Sequence, residues 1–345
     1  MSPDITAAEL AARLPNETDV LLIAHENPDG DALGCVVAMM LMCARLGVPH
    51  RGYIPGDGPF PAEYGFLPRL DEIARGPFPD ASAATTAVMM DCATPGRIDP
   101  EGLRCVGTCI DVDHHQDNTG FGTLNLLDFS AASSTQIIYD VFVAGGLPID
   151  ADTATALYCG LLTDTGRFQY SNTTPAAHRM AAALQEAGVA VDVVYRHVYE
   201  NVPLPKILLL QRALSRLELL LGRRVAVAVL TMDDFTQVGA DDSHTEGVID
   251  TLRTIEGVRM AVLLRERPSE APPFYKGSLR STDDAVNVAT IAHLWGGGGH
   301  VRAAGFSAHE PLAGLVARLV TEAGAQLEAG AQLEAGAQLE AGAQP

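Results

Sequence analysis

Histidines and aspartates recur in this chain where apolar runs stop. Val20–Ala24 reads as a buried strand, and His25, Asp29 and Asp31 follow at once. A second apolar run, Thr86–Met90, ends directly in Asp91, and a third, 106–112, runs into Asp113, His114 and His115. Asp164 closes a further apolar pattern over 151–163. Imidazole nitrogens and carboxylate oxygens together are ligands for divalent cations. That mixture suits Mn²⁺ better than Ca²⁺, and the absence of cysteine from it argues against structural zinc. A carboxylate shared by two cations can hold them about 3.5–4 Å apart, the arrangement used to hydrolyse phosphate esters. Each acid taken singly has a plainer explanation. In the first loop Asp29 or Asp31 could be the N-cap of the next helix, and at this point both explanations stand. Caps do not account for all of these groups together.

The groups can meet only if the strands lie side by side and run in one direction. In an open parallel sheet the carboxyl ends of the strands share one edge, and ligands bind there. The intervening segments fit that architecture. Residues 33–46 are apolar nearly all round and stop at Gly47, as a helix buried against a sheet does. Residues 131–145 and 151–163 also read as helices, and 1–19 as an amphipathic lead-in with Ile5, Leu10 and Leu14 on its apolar side. Residues 49–68 read as a strand and a Pro- and Gly-rich loop anchored by Phe60, Tyr64 and Phe66. Strands alternating with helices predict an α/β fold with a mostly parallel sheet.

From Pro175 the pattern is helical, interrupted at Pro203 and Pro205, with 206–221 as a connecting helix. A second α/β pattern starts near Gly222, with strands in RRVAVAVLTM, 258–265 and 275–281. The expected domains are therefore 1–195, a helical linker at 196–222, a smaller α/β domain at 223–321 and a tail at 322–345. The tail repeats Glu-Ala-Gly-Ala-Gln-Leu at 322–327, 328–333 and 334–339. A glycine in each hexad disfavours helix by about 1 kcal/mol, so the tail is expected to be disordered or only partly helical.

Composition narrows the function. The chain has 23 basic and 43 acidic residues, a formal charge of −20. Such a surface repels long polyanions, whose affinity comes mainly from neutralised phosphates, but it tolerates a small phosphorylated substrate. No apolar run is long enough for a membrane span, and the first residues, MSPDITAAEL, lack the form of a secretory signal. The six cysteines lack paired spacing and read as buried free thiols of a reducing cytoplasm.

HENPDGDALG, the lone Asp91, VDHHQDN and LLTDTGRFQYSNT resemble, in that order, the four motifs of the DHH phosphoesterase superfamily. GGGGHVRAAGF resembles the glycine-rich signature of its DHHA1 domain. The arrangement is most similar to the NrnA-type branch, oligoribonucleases (nanoRNases) that also dephosphorylate pAp. The resemblance implies a DHH domain followed by a smaller DHHA1 domain. It implies two Mn²⁺, with Mg²⁺ as the alternative. His25 and Asp29 would hold one and Asp31 and His114 the other, with Asp91 and Asp164 bridging. His115 would face the scissile phosphate, and Asp113 would orient a ligand histidine. Substrate would be gripped by Ser278 and Arg280 in GSLRS and by Gly298, Gly299 and His300. The expected substrates are short RNA oligonucleotides, pAp and linear dinucleotides, not a long duplex and not a membrane. A homodimer remains an open alternative.

Overall fold

In a computed structural model, the structure describes residues 4–268, 273–282 and 285–341, with side chains through Gly330. The chain divides into two compact units, the first ending at Asn201 and the second beginning at Val202.

The first unit is built on five parallel strands in the order β2-β1-β3-β4-β5. They are β1 (Val20–Ala24), β2 (His50–Tyr53), β3 (Thr86–Met90), β4 (Thr108–Asp113) and β5 (Leu124–Leu127). Alternate residues of β1 feed opposite faces of the sheet. Val20, Leu22 and Ala24 join the core on one side, and Leu21 and Ile23 pack with Tyr53 and Met89 on the other. The helices of this unit are α1 (Ala7–Arg13), α2 (Gly30–Leu46), α3 (Pro100–Leu103), α4 (Ser134–Ala144), α5 (Ala151–Asp164), α6 (Pro175–Glu186) and α7 (Val191–Tyr195). Most of α2 is buried, as its apolar composition requires, and Gly47 ends it in a left-handed conformation. The lead-in helix is shorter than expected, although Leu10 and Leu14 are buried as the pattern indicated. The loop aromatics act as anchors: Tyr64 is buried and Phe66 stacks on His197 with ring centroids 4.9 Å apart.

The second unit holds a mixed sheet ordered β10-β11-β9-β8-β7-β6. Its strands are β6 (Glu218–Leu220), β7 (Val225–Leu230), β8 (Met260–Arg267), β9 (Phe274–Ser281), β10 (Gly298–His300) and β11 (Ala303–His309). Only β7 and β8 are parallel; the other pairings are antiparallel. Its helices are α8 (Leu204–Ser215), α9 (Met232–Val238), α10 (Val248–Arg253), α11 (Val288–His293) and α12 (Leu312–Ala341). The expected connecting helix stops at Ser215, and Glu218–Leu220 leaves it as an edge strand on β7. Leu209 and Ala213 bury α8 in the core of the second unit.

The repeat departs further from expectation, because its backbone continues α12 to Ala341. Alanine, glutamate, glutamine and leucine all favour helix, and the first hexad is also packed. Ala323 and Leu327 are buried against β-strand residues of the second core, and Gln326 Oε1 accepts from Asn287 N at 2.7 Å. Residues 342–345 lie outside the described residues. Among those described, no helix is long and apolar enough to cross a membrane. Four of the six free cysteines are buried, but Cys105 is exposed and Cys109 half-buried.

Candidate metal centre

Strand order 2-1-3-4-5 reverses direction between β1 and β3, and a crevice at the carboxyl ends beside such a switch is where open α/β sheets bind ligands. Residue pairing brings the predicted groups to that level. Ala24 pairs with Met90 and Met90 with Val112, so His25, Asp91 and Asp113 emerge side by side. Asp91 leaves its strand at φ 57°, a left-handed conformation uncommon outside glycine that redirects the chain sharply.

Three overlapping sets of ligand atoms form here: His25, Asp29 and Asp91; Asp31, His114 and Asp164; and Asp91, Asp113, His114 and His115. Asp91 belongs to two of them, with Oδ2 3.6 Å from His25 Nε2 and Oδ1 3.8 Å from His114 Nε2. Asp164 lies 3.4 Å from His114 Nε2 but does not join the group of His25 and Asp29. Of the two acids that the family resemblance made bridges, Asp91 shares a group with His25 and Asp29 and another with His114, and Asp164 shares one with Asp31 and His114.

Helix ends set the remaining carboxylates. Asp29 is indeed the N-cap of α2: its Oδ1 accepts from the backbone N–H groups of Asp31 and Ala32, both at 3.0 Å. Capping uses one oxygen and leaves the other for a cation, so the two explanations of this loop are compatible. Asp31 is buried against the N-terminus of α4. Its Oδ2 accepts from Ser134 N at 2.6 Å, and its Oδ1 from Thr135 N at 2.9 Å and Thr135 Oγ1 at 2.7 Å. Helix N-termini favour anions. Gly160 of α5 makes room, because a Cβ there would sit 2.5 Å from Asp31 Oδ1.

The donor set fits hard divalent cations. His114 Nδ1 faces the carbonyl of Ala131 at 3.4 Å, so it carries the proton and Nε2 offers a lone pair. That Nε2 is buried without a hydrogen-bond partner and faces two carboxylates, an arrangement that needs positive charge between them. His25 Nδ1 lies 2.6 Å from the Glu26 carbonyl and 2.8 Å from Arg97 Nη2. Nδ1 is thus engaged on its own side of the ring, and Nε2 faces Asp91 Oδ2 at 3.6 Å. The charges point the same way. Burial, then the charges of Asp91, Asp164 and Asp29, push the Asp31 carboxyl well above its ordinary range. Burial with Asp91 and Asp29 pushes Asp164 up to about 7. Burial opposes charge on Asp91 too, but the facing His25 ring, with His115 and His114, holds it below the ordinary range. Without cations the cluster must retain protons; a divalent ion can replace them.

Asp113 and His115 form the other half of the site. Asp113 Oδ1 accepts from His115 Nδ1 at 2.7 Å and from His114 N at 2.8 Å. It therefore orients the His115 ring, whereas the His114 ring is turned by Ala131. The hydrogen bond to Asp113 outweighs burial and pushes His115 up to about 9. Sequence reasoning missed Asn118. Its Nδ2 donates to Asp113 Oδ2 at 2.8 Å and approaches Asp111 Oδ1 at 3.3 Å and the carbonyl of Cys92 at 3.4 Å. It thereby ties the segment after Asp91 to the one carrying both histidines. Burial pushes Asp111 up to about 7. Arg97 was also missed, and only its position after Asp91 in sequence could have suggested it.

The predicted substrate residues gather within the second unit. Across β11, Arg280 pairs with Ala303 and Ala303 with His300, while Ser278 pairs with Gly305 and Gly305 with Gly298. Gly299 sits at φ 141°, and a Cβ there would meet the Ala303 carbonyl at 2.4 Å, so glycine is required. Arg280 Nε lies 3.6 Å from Asp250.

Comparison with known proteins agrees with this geometry. The DHH family, N-terminal domain, matches residues 19–161, and the DHHA1 domain matches 222–329. The bifunctional oligoribonuclease and PAP phosphatase NrnA of Thermus thermophilus is 32% identical over 84% of this chain and 84% of its own. The Bacillus subtilis protein of the same name is 26% identical over 84% of this chain and 88% of its own. An exopolyphosphatase-related protein from Bacteroides fragilis shares the fold, with a TM-score of 0.80 and 19% identity, over 94% of this chain and 97% of its own. With its ligand groups at the edge of a parallel sheet and a glycine-rich strand pair in its second unit, the chain belongs to the DHH/DHHA1 family of phosphoesterases.

Proposed function

We propose that the protein is a two-metal phosphodiesterase that hydrolyses RNAs of about two to five nucleotides to mononucleotides and removes the 3′-phosphate of pAp, with Mn²⁺ as its metal. The observation that carries this reading is the unpartnered His114 Nε2 among carboxylates, with His115 beside it. When bound, a pair of divalent cations supplies the Lewis acidity that attack on phosphorus needs. His25, Asp29 and Asp91 would hold one, and Asp31, His114, Asp164 and the shared Asp91 the other.

The chain's own groups do the rest. Asp113 takes His115 Nδ1–H, so Nε2–H is the proton offered to substrate, either to a non-bridging oxygen or to the leaving oxygen. The hydrogen bond to Asp113 favours a proton on this ring. Asp31 is fixed by the α4 N-terminus and Asp29 by its capping bonds, so neither needs to reorganise as charge develops on phosphorus. Ser278, Arg280, Gly298, Gly299 and His300 would grip the substrate, since Arg offers a planar fork for phosphate and the glycines admit close backbone approach. The relatives named NrnA support these substrates, and the strongly acidic composition fits short ones.

The test is a Mn²⁺ assay of pAp, pApA, RNA dimers to pentamers, pyrophosphate and c-di-AMP side by side. Short RNA and pAp should be the best substrates. Faster turnover of pyrophosphate or c-di-AMP, or processive degradation of a long strand, would overturn the assignment.

A further inference from the structure

Along β8, β9 and β11 the second unit presents a row of polar side chains on one face. Arg265 pairs with Lys276, and Lys276 with Ser307. Side chains alternate along a strand, so these three share a face with Ser278 and Arg280. A hollow of about 360 Å³ opens at the Lys276 end, bordered by Arg265, Lys276, Ser278, Ser307, Gly297 and Trp295. Its size falls within the range of small-ligand sites. Arg280 and His300 lie outside it.

The charge of this hollow runs against that of the chain. Arg265, Arg267 and Lys276 gather at one end of β8 and β9, whereas acidic residues outnumber basic ones 43 to 23 overall. Asp242 accepts from Arg265 Nη1 at 2.9 Å and also pairs with Arg267, so one carboxylate serves two guanidinium groups. Arg265 Nη2 reaches Ser278 Oγ at 3.4 Å, and its buried Nε has no hydrogen-bond partner. Lys276 is exposed and has no ion-pair partner among the described residues. Trp295 is held by stacking on Phe306 at 4.7 Å and by donating from Nε1 to Glu310 at 2.5 Å.

Spacing decides what such a hollow can take. Lys276 and Arg280 are four residues apart on an extended strand, about 13 Å at ~3.3 Å per residue. With both side chains extended out of the sheet, that span exceeds a single phosphate, and successive phosphates of an oligonucleotide can occupy its two ends. We propose that the hollow is a second nucleotide position, in which Lys276 with Arg265 and Ser278 takes a backbone phosphate of short RNA that pAp does not present. This inference rests on the proposed activity toward short RNA, and it makes Lys276 a residue that distinguishes oligonucleotides from a mononucleoside bisphosphate.

The test compares the full-length protein with its Lys276→Gln variant on pAp and on the RNA trimer ApApA in Mn²⁺. Losing one charge-assisted phosphate contact should raise KM for the trimer about tenfold and leave the kinetics on pAp unchanged. Equal KM values for the trimer in both proteins, or an equal loss on both substrates, would overturn the proposal. Binding is followed separately without metal. Trp295 is the chain's one tryptophan, so ApApA in the hollow should shift the intrinsic fluorescence of the wild type in EDTA, and Lys276→Gln should require about tenfold more trimer. If the wild type hydrolyses neither substrate, the proposed activity fails while this titration still decides the hollow; no saturable change with ApApA refutes it.

Discussion

The two units of this protein arrange charge in contrasting ways. In the first, parallel strands all deliver their carboxyl ends to one edge, so groups far apart in sequence converge on a point. His25, Asp91 and Asp113 stand next to one another there because β1, β3 and β4 are neighbours in one register. In the second, β9 lays Lys276, Ser278 and Arg280 along one face as a line, with Arg265 of the antiparallel neighbour beside Lys276. A point of buried carboxylates suits a compact cation. A line of half-exposed donors suits an extended polyanion. Connectivity alone thus gives one chain both a point of converging carboxylates and a row of aligned donors.

Removing the shared point should have the largest effect. Asp91→Ala takes the carboxylate shared by both proposed cations, so Mn²⁺-dependent turnover should fall by about three orders of magnitude or more. Bound manganese, measured by elemental analysis, should fall with it. Full activity in a metal-depleted Asp91→Ala protein would leave the two-metal reading without support.

If His115 acts as the proposed proton donor, His115→Ala should cost about 10²- to 10⁴-fold in kcat while leaving manganese content unchanged; a loss of bound manganese would make it a ligand instead. Its own titration tests the pairing with Asp113. In metal-free protein followed by NMR, His115 should titrate near 9, and Asp113→Asn should return it toward the ordinary ~6.5. The sign follows from linkage. A raised histidine pKa stabilises the folded state fully below about pH 6.5, and that contribution is lost as the pH rises through about 9. An Asp113→Asn protein whose His115 still titrates near 9 would exclude Asp113 as the cause.

Why the clustered acids and histidines were legible and their supports were not is visible in Asp31. Aspartate and histidine directly after apolar runs announce a strand end, and a parallel sheet says where strand ends go. The groups that hold Asp31, Ser134 and Thr135, are more than 100 residues away, of common types, at the start of an ordinary helix. Nothing local marks them. Asn118 reads as a turn residue until the fold brings it against Asp113 and the Cys92 carbonyl. The strand β5 escaped notice because Leu124–Leu127 is only four residues long and lies among glycines and polar residues. Which histidine Asp113 contacts was not legible either, since sequence order cannot say which of two adjacent rings turns toward a carboxylate.

Asn118 links the buried acids on either side of it, so its loss should be felt at the centre without removing a ligand. Asn118→Ala leaves Asp113 Oδ2 without its donor, at a cost of about 1–3 kcal/mol, and should lower kcat by about tenfold as His115 loses its fixed support. Calorimetry and kinetics on the same sample check both. Wild-type kcat with lowered stability would reduce Asn118 to a structural tie.

The smallest effect separates the second unit's packed end from a loose tail. Because α12 carries the first hexad as helix, Gly324 imposes the helix penalty of glycine, and a Cβ there would meet Leu221 at 3.4 Å, at the near edge of ordinary contact with a flexible side chain. Gly324→Ala should then stabilise the protein by about 0.5–1 kcal/mol, read as a rise in the denaturation midpoint. In a disordered repeat the same methyl group would change nothing. Leu327→Ala supplies the opposite sign, because Leu327 is buried in the second core and its truncation should cost about 2 kcal/mol or more. A stabilising glycine replacement and a destabilising leucine truncation three residues apart are what a packed helix produces, and an unstructured repeat yields neither.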